Sequence, residues 1–392
     1  MIIIYCIQNS FLTENFFCLT FGKMCYTYNR GGVEMKNVGI ITLSGNFNYG
    51  NRLQNYAMQK TIEKLGCRCV TFWNTIGHEV SKKQKIKNNI KGKLTFIPRY
   101  ELEKRRINFE HFTNKYIKNH KYIIHNEDVD QRKVSNIDYF VIGSDQVWNY
   151  TFSDFSKVAF AMFSNKDKNI SYAASFGISD IPEDKKDFYK EGLKNVGAIS
   201  VREDRGAELV KDLTKKNAKV VLDPTLLLSR NDYIKIERKP KKMTKKPYIL
   251  MSFLGQISSE RRKEIKKLAK RKKLDIIDLS DQSHKNYYNS GPREYLYLFH
   301  HASIIFTDSF HSCVFSFIFQ KPFYVFDRID PWMQSMNSRL DTFLGKFKMS
   351  DRKIESLKKV RNVMQVDYEN AYEILDEERK KSLDFLSTAL HV

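Results

Sequence analysis

The six cysteines of this chain include no pair with the spacing of a zinc site or of a redox CxxC motif. Residues 1–20 are apolar, but they are too few and too polar to span a membrane, and they lack the basic start and cleavage site of a signal peptide. No nucleotide-binding fingerprint is evident. These absences predict a cytoplasmic protein with reduced cysteines and no bound metal.

The length and the net charge of the chain limit which folds and which partners are expected. A chain of 392 residues exceeds what one hydrophobic core usually supports, and its hydrophobic content of 42% suffices for two cores. Two domains are therefore expected. The formal net charge of +22 suggests an anionic partner, which is a nucleic acid, a phosphate-rich metabolite or an acidic membrane surface. Lys-rich helix faces such as Arg261–Lys273 are usually only solvated, so composition alone selects none of these partners.

Residues 1–34 are predicted to be a non-native upstream extension. The run RGGVEM at 30–35 can be encoded by AGG-type codons shortly before an ATG, which is the arrangement of a bacterial ribosome-binding site. Met35 is then the native start, directly before the first strand-like run. A peptide from upstream of Met35 in the native protein would contradict this prediction.

From Met35 onward, apolar strand-like runs alternate with amphipathic stretches, a pattern that predicts α/β structure with parallel sheets. We expect two Rossmann-like domains that face each other across a cleft, and a C-terminal helix that packs back on them. The predicted N-terminal domain spans 35–234 with a Lys-rich helical insertion at 77–136, followed by a linker at 235–247, a C-terminal domain at 248–350 and a helical segment at 351–392. Ligands of such sheets bind at the carboxyl ends of strands.

The loop GNFNYGN at 45–51 follows the first predicted strand and precedes a helix. Glycines permit tight turning, and the unpaired N–H groups at a helix start favour anions, so Asn48 and Asn51 are candidates for substrate binding. A turn rich in Asn and Gly for conformational reasons alone stays an open alternative.

The loop GSDQVWN at 143–149 gathers a hydroxyl, a carboxylate, an amide and an indole directly after a strand. Such a mixture suits saccharide recognition, for which the candidates are Ser144, Gln146 and Trp148. Asp145 is a candidate general acid or base. The alternative is that the Ser or Asp only caps the next helix.

Two further segments place charged or titratable side chains at strand ends. Arg202 can hold a phosphate or carboxylate through its fork of donors, or form a plain surface salt bridge. In FTDSFHS at 306–312 a buried strand ends and a helix begins, so that Ser309, His311 and Ser312 surround the positive end of the helix. A charged His311 there can stabilise phosphate or donate a proton, whereas Ser309 can also be only a helix cap.

Seven short segments carry a family resemblance: GNFNYGNRLQNYAM, GSDQVW, SYAASFG, SVRE, LDPTLLL, TDSFHS and KPF. Their order is that of the polysaccharide pyruvyl transferase family, which this sequence resembles over about residues 40–323. The resemblance implies a glycosyltransferase-B-like fold and transfer of a pyruvyl group from phosphoenolpyruvate to two hydroxyls of a sugar, with formation of a cyclic ketal. It also implies a cytoplasmic enzyme without metal or other cofactor that acts on cell-surface polysaccharides or their lipid-linked precursors.

The resemblance matches His311 with the family's catalytic histidine and Arg202 with an arginine implicated in donor binding. Ser309 stands where many members have an arginine, and a lysine that many carry further along the chain is also missing. We expect Arg328 or Arg339 to supply the positive charge instead. In this chemistry Asp145 or His311 protonates the methylene group of the donor, Asp145 is the candidate base, and His311 and Arg202 stabilise the leaving phosphate.

Other functions stay open from the sequence alone. The same fold suits a glycosyltransferase with a nucleotide-sugar donor, which binding of uridine or guanosine nucleotides would distinguish. The charge suggests a non-catalytic nucleic-acid-binding protein, but the basic residues are scattered and no binding motif is present, so no nucleic-acid partner is expected. The expected partners are phosphoenolpyruvate and a saccharide or lipid-linked saccharide acceptor, and the positive charge favours peripheral contact with an anionic membrane.

Overall fold

A computed structural model of the chain describes residues 16–21, 24–29, 35–45, 47–77, 98–118, 123–328 and 338–392. Upstream of Met35, β1 (Phe16–Phe21) and β2 (Met24–Asn29) pair antiparallel in a two-stranded sheet of their own. The other residues before Met35 lie outside the described ranges. That residues 1–34 are a non-native extension therefore stays a prediction.

The first large sheet contains seven parallel strands in the order β5-β4-β3-β6-β7-β8-β9. Its inner strands β3, β6 and β7 are almost completely buried, which explains why their sequences are nearly continuous apolar runs instead of alternating ones. The seven strands are β3 (Asn37–Ile41), β4 (Arg68–Asn74), β5 (Ile123–Ile124), β6 (Tyr139–Ile142), β7 (Asn169–Ala174), β8 (Ala198–Val201) and β9 (Lys219–Val220).

The second large sheet contains four parallel strands in the order β11-β10-β12-β13. All of them follow the first sheet in the sequence, and each neighbouring pair is connected through helical segments. The four strands are β10 (Tyr248–Ser252), β11 (Asp275–Asp278), β12 (Ile304–Thr307) and β13 (Phe323–Val325). Two parallel sheets with crossover helices confirm the predicted α/β class with two Rossmann-like units.

Helices cover the faces of both sheets. They are α1 (Tyr49–Lys64), α2 (Pro98–Tyr116), α3 (Gln131–Val134), α4 (Glu183–Lys194), α5 (Asp204–Thr214), α6 (Arg230–Ile234), α7 (Ser259–Lys272), α8 (Lys285–Tyr288), α9 (Pro292–His301), α10 (Phe310–Ile318), α11 (Ser338–Lys346) and α12 (Glu369–Leu390). None of the helices in the described ranges combines the length and the apolar character needed to cross a bilayer.

The segment predicted as an insertion contributes to the core. Helix α2 buries Phe109 and Phe112 in a cluster that also contains Tyr56 of α1 and Tyr295 of α9, and β5 extends the edge of the first sheet. Residues 78–97 and 119–122 of this segment lie outside the described ranges. Because α2 packs between the two sheets, it forms part of the wall of the cleft between them.

The C-terminal helix returns to the first sheet. Phe385, Leu386 and Leu390 of α12 share one apolar cluster with Val38 and Ile40 of β3. Leu386 and Leu390 are fully buried there. The helix therefore covers a face of the N-terminal sheet, as the apolar spacing of its sequence predicts.

Candidate active site

Asp223, which follows β9, is the centre of a buried polar network. Its Oδ2 accepts hydrogen bonds from Arg202 Nη1 at 2.9 Å and from Ser144 Oγ at 2.8 Å. Its Oδ1 accepts from the backbone N–H and the hydroxyl of Thr225, at 3.0 and 2.6 Å. With both oxygens engaged, the carboxylate is fixed in orientation, and it fixes the arginine in turn.

Arg202 lies at the end of β8 among three carboxylates. Its Nη2 is 3.4 Å from Asp145 Oδ1, its Nε is 3.9 Å from Glu203 Oε2, and its guanidinium carbon lies 4.6 Å from the ring centroid of Phe310. Burial alone would lower the pKa of Arg202, but Asp223, Asp145 and Glu203 together raise it. The side chain is almost completely buried, so Arg202 underlies the site and holds its carboxylates in place.

Asp145 is ionised in this environment. Burial would raise the pKa of Asp145, but the positive charges of Arg202, His311 and Arg339 outweigh burial and lower it. A carboxylate with a lowered pKa is a poor proton donor near neutral pH. Of the two roles predicted for Asp145, the arrangement favours the base over the acid.

His311 is the second residue of α10 and reaches from the C-terminal half to the N-terminal half. Its Nε2 lies 3.6 Å from Asp223 Oδ2, and a Cβ added to Gly50 of α1 would lie 2.0 Å from its Nδ1. Only glycine at position 50 leaves room for the imidazole. Burial would raise the pKa of Asp223, but His311 and Arg202 hold it well below its usual range. The candidate site is thus assembled from both halves.

Arg339 of α11 is a buried guanidinium without a partner. It is 4% exposed, its Nε has no hydrogen-bond partner, and no carboxylate in the described part of the chain forms an ion pair with it. Burial and the nearby charge of Arg202 lower its pKa to about 10, although Glu203 and Asp145 act in the opposite direction. Unpaired buried charges are costly, so Arg339 is a candidate for binding an anionic ligand.

Arg328 follows β13 and is also largely buried. Its Nε lies 3.6 Å from Asp308 Oδ2 and 3.3 Å from the Asp308 carbonyl oxygen. Burial lowers the pKa of Arg328, and Asp308 partly compensates. Arg328 also contributes to the electrostatic environment of Arg339, so the two predicted replacements for the family's basic residues lie in one region.

A cavity of about 410 Å³ opens beside His311 in the cleft. Tyr295 and Tyr288 line one wall, and Arg105 of α2 lies with its guanidinium carbon 4.7 Å from the ring centroid of Tyr49. Ser309, which caps α10, and Ser312 line the wall next to His311. Its remaining lining residues come from both halves and from α2: Phe47, Asn48, Gly50, Leu102, Ser252, Phe253, Leu254, Leu279, Ser280 and Gln282.

The loop before α1 is organised by hydrogen bonds within the protein. Asn48 caps α1 by accepting a bond from the Asn51 backbone N–H at 3.2 Å, and it also lines the cavity. The side chain of Asn51 is buried and accepts from Arg52 Nε at 2.9 Å. Arg52 in turn donates from Nη2 to the Leu43 carbonyl at 2.7 Å. Asn51 therefore shapes this loop, whereas Asn48 remains the member able to face a ligand.

The prediction that Trp148 binds a sugar is wrong. Its side chain is 0% exposed, its indole N–H donates to the Ala159 carbonyl at 2.9 Å, and its ring stacks on Phe160 at 5.5 Å. Gln146 is half-buried, and its Oε1 accepts from Asn149 Nδ2 at 3.0 Å. In this loop the chain turns so that Ser144 and Asp145 join the Arg202 network while Trp148 enters the core.

Sequence analysis missed two residues of the site. Asp223 stands in the LDPT segment after a strand, and its position at a strand end was the available signal. Arg105 lies in the segment predicted as a Lys-rich helical insertion, where one arginine among many basic residues carries no distinctive signal.

Among the side chains that the structure describes, one group outside the cleft has ligand atoms close enough together for a metal ion. In Glu237, His300 and His301 these atoms lie within 4.8 Å of one another. Arg230 Nη2, however, lies 3.1 Å from Nε2 of His300, while Nδ1 of His300 lies 2.9 Å from Glu237 Oε2. A histidine that binds metal through Nδ1 carries its proton on Nε2, where it would meet this donor, so the geometry favours hydrogen bonds over metal binding.

Two facing parallel α/β units with His311, arginines and carboxylates gathered between them define a protein of glycosyltransferase-B-like architecture. A family model described as polysaccharide pyruvyl transferase matches residues 48–331, more than two thirds of the chain. The chain therefore belongs to the polysaccharide pyruvyl transferase family, which confirms the resemblance of its motifs. Membership indicates a transferase of polysaccharide pyruvylation.

Solved structures with similar folds have low sequence identity to this chain. S. aureus MnaA with UDP has a TM-score of 0.47 and 12% identity, with coverage of 91% of this chain and 97% of that one. UDP-GlcNAc 2-epimerase from Neisseria meningitidis bound to UDP-GlcNAc has a TM-score of 0.40 and 12% identity, covering 88% and 100%. The glycosyltransferase SnogD from Streptomyces nogalater has a TM-score of 0.41 and 10% identity, covering 91% and 98%. No curated protein sequence matches this chain.

Proposed function

We propose that this protein transfers the pyruvyl group of phosphoenolpyruvate to two hydroxyls of one sugar in a polysaccharide or its precursor, with formation of a cyclic ketal. The observation that carries the proposal is the buried guanidinium of Arg339, which lies near Arg202, Asp145 and Arg328 and forms no ion pair with any residue that the structure describes. A donor with a phosphate and a carboxylate offers the negative charge that this guanidinium lacks.

The phosphate of the donor is best accommodated between His311 and Arg339 at the start of α10. The first turn of this helix presents unpaired N–H groups, and its positive end favours anions. Ser309 takes the place of a basic residue found in many family members and caps the helix through its side chain. In this proposal Arg339 and Arg328 supply the charge that Ser309 lacks.

The proposed chemistry needs one acid and one base. The first sugar hydroxyl adds to the enol carbon while the methylene group gains a proton and becomes a methyl group; the second hydroxyl then displaces phosphate. One hydroxyl proton ends on the methyl group and the other leaves with the phosphate. Asp145, held ionised by Arg202, suits the base, and His311 suits the proton donor and the phosphate ligand.

The cavity beside His311 suits the acceptor sugar. The exposed side chains of Asn48, Ser280 and Gln282 line this space of about 410 Å³ and can form hydrogen bonds with sugar hydroxyls. In the proposed mechanism neither a metal nor another cofactor takes part. We therefore expect EDTA to leave the rate unchanged.

The test combines donor binding with turnover. Calorimetry should show binding of phosphoenolpyruvate to the protein, weakened roughly 10- to 100-fold in Arg339→Met because a charged hydrogen bond is lost. Arg132→Met is the control, because the Arg132 side chain is 91% exposed and pairs only with Asp130 among the described residues. It should bind like the wild type.

Turnover is measured as phosphate release from phosphoenolpyruvate in the presence of galactose, mannose or N-acetylmannosamine acceptors. Release should depend on the acceptor and be lost in His311→Ala. If phosphoenolpyruvate neither binds nor releases phosphate with any acceptor, the proposed donor is wrong, and nucleotide sugars become the next donors to test.

A further inference from the structure

A groove runs along α2 outside the catalytic cavity. Two adjoining cavities of about 500 and 430 Å³ form it, and they share Asn108 of α2 with Arg238 and Glu294 on the opposite side. We call this feature the α2 groove. It is larger than the catalytic cavity and lies mostly between α2 and the segment that links the two sheets.

The α2 groove is strongly basic. Lys239, Lys241 and Lys242 line it, and none of them forms an ion pair with a carboxylate of the described chain. Glu294 is the acidic residue among the described residues that line the two cavities. It already accepts hydrogen bonds from Arg238 and from the Gly291 backbone N–H. Within the described ranges, no carboxylate therefore pairs with these three lysines, so their positive charge can attract an anionic ligand.

The same two segments border the groove and the catalytic cavity. On α2, Arg105 faces the cavity, whereas Lys104 lines the groove. At the end of α8, Tyr288 lines the cavity, and Ser290, two residues later, lines the groove. Tyr49 donates a hydrogen bond to the Ser290 carbonyl at 2.9 Å and so closes the wall between them. The groove and the cavity therefore lie on opposite sides of this wall.

We propose that the α2 groove binds an anionic stretch of the polysaccharide acceptor, a run of uronate carboxylates or phosphodiesters. This inference rests on the proposed function, because a polymeric acceptor must extend beyond a cavity that holds only a few sugars. Lysines on flexible stems give positive charge without fixed geometry, which suits repeated charges on a polymer better than one small anion. The half-buried Tyr116 continues the lining at the far end and can pack against a sugar ring.

The test compares two variants that remove equal charge. The groove variant carries Lys239→Gln, Lys241→Gln and Lys242→Gln. The control variant carries the same change at Lys266, Lys267 and Lys270, which are exposed on α7. The probes are hexagalacturonate, uncharged maltohexaose and hexathymidylate, and their affinities are measured by calorimetry at low and at physiological salt.

Hexagalacturonate should bind more tightly than maltohexaose, and added salt should weaken the binding of hexagalacturonate. The groove variant should lose about tenfold in affinity, whereas the control variant should stay within about twofold of the wild type. Equal losses in the two variants, or no preference for the charged glycan, would overturn the proposal. Tighter binding of hexathymidylate, lost in the groove variant, would overturn it in favour of a nucleic-acid partner.

Phosphoenolpyruvate binding is measured on the same samples. If the donor binds and releases phosphate but hexagalacturonate binds the groove variant as tightly as the wild type, only the groove proposal fails. If the groove distinguishes the glycans but phosphoenolpyruvate does not bind, the groove is an anionic-glycan site and the proposed donor fails.

Discussion

The unpaired Arg339 should make the ligand-free protein less stable than it need be. Burial lowers its pKa from the ordinary arginine value to about 10, so the folded state holds this proton less tightly than the unfolded chain does. At 1.36 kcal/mol per pKa unit, the buried charge lowers the free energy of unfolding by about 3 kcal/mol. This cost is fully present below about pH 10 and is relieved only as the pH rises above 10.

Arg339→Met should therefore stabilise the ligand-free protein. Methionine retains much of the volume without the charge, and we expect the free energy of unfolding to rise by about 1–3 kcal/mol, by the same amount at any pH between about 6 and 9. Urea unfolding followed by tryptophan fluorescence measures the gain as a shift of the midpoint at constant slope. A phosphoenolpyruvate concentration that saturates the wild type should stabilise the wild type more than this variant.

The matched control is Arg52→Met. Arg52 is also completely buried, but it donates to the Leu43 carbonyl and to Asn51 Oδ1. Burial lowers the pKa of Arg52 further, to about 9, so its charge is costly too, but its removal also leaves those acceptors unpaired. Arg52→Met should therefore be less stable than Arg339→Met by about 1–3 kcal/mol. If Arg339→Met were no more stable than Arg52→Met, Arg339 would have a partner in the ligand-free protein and the reasoning above would fail.

Three further changes, the first with a control, test the site. Gly50→Ala should displace His311 and lower kcat/KM by about 100-fold in phosphate-release assays. Its control is Gly345→Ala, where a Cβ meets nothing within 4 Å; this variant should keep activity and gain about 0.5–1 kcal/mol in urea unfolding. Asp223→Asn should lower the free energy of unfolding by about 3 kcal/mol at neutral pH. Below about pH 4 the stability of this variant should fall less steeply than that of the wild type, because the depressed pKa of Asp223 gives stability that is lost on acidification. Equal slopes of unfolding free energy against pH, measured by urea unfolding, would contradict this. Trp148→Phe should lower stability by about 1 kcal/mol and change the acceptor KM by less than about twofold; a selective rise in KM would restore a sugar-binding role for Trp148.

The alternation of strands and helices and the position of the site at the carboxyl ends of the strands could be predicted from the sequence, because both follow from apolar runs and the loops after them. The roles inside one loop could not. In GSDQVWN, Asp145 and Trp148 are separated by two residues, and only the turn of the backbone sends one to Arg202 and the other into the core.

Contacts between the two halves were also beyond sequence analysis. Nothing in the spacing of Asp223 and His311 shows that they lie 3.6 Å apart, because that distance depends on how the two sheets pack. The absence of a partner for Arg339 is likewise a property of the folded environment. The sequence indicated a needed positive charge there, but not that the charge would stay unpaired.

The return of α12 to the first sheet has a consequence for synthesis on the ribosome. Val38 and Ile40 are among the first residues of the fold to emerge, but the residues that cover them, Phe385, Leu386 and Leu390, are made only after the entire second sheet. Domains generally fold as units, the N-terminal one first. Here an apolar strip of the N-terminal unit stays exposed while the rest of the chain is translated. The nascent protein therefore has a binding surface for chaperones that the finished one lacks.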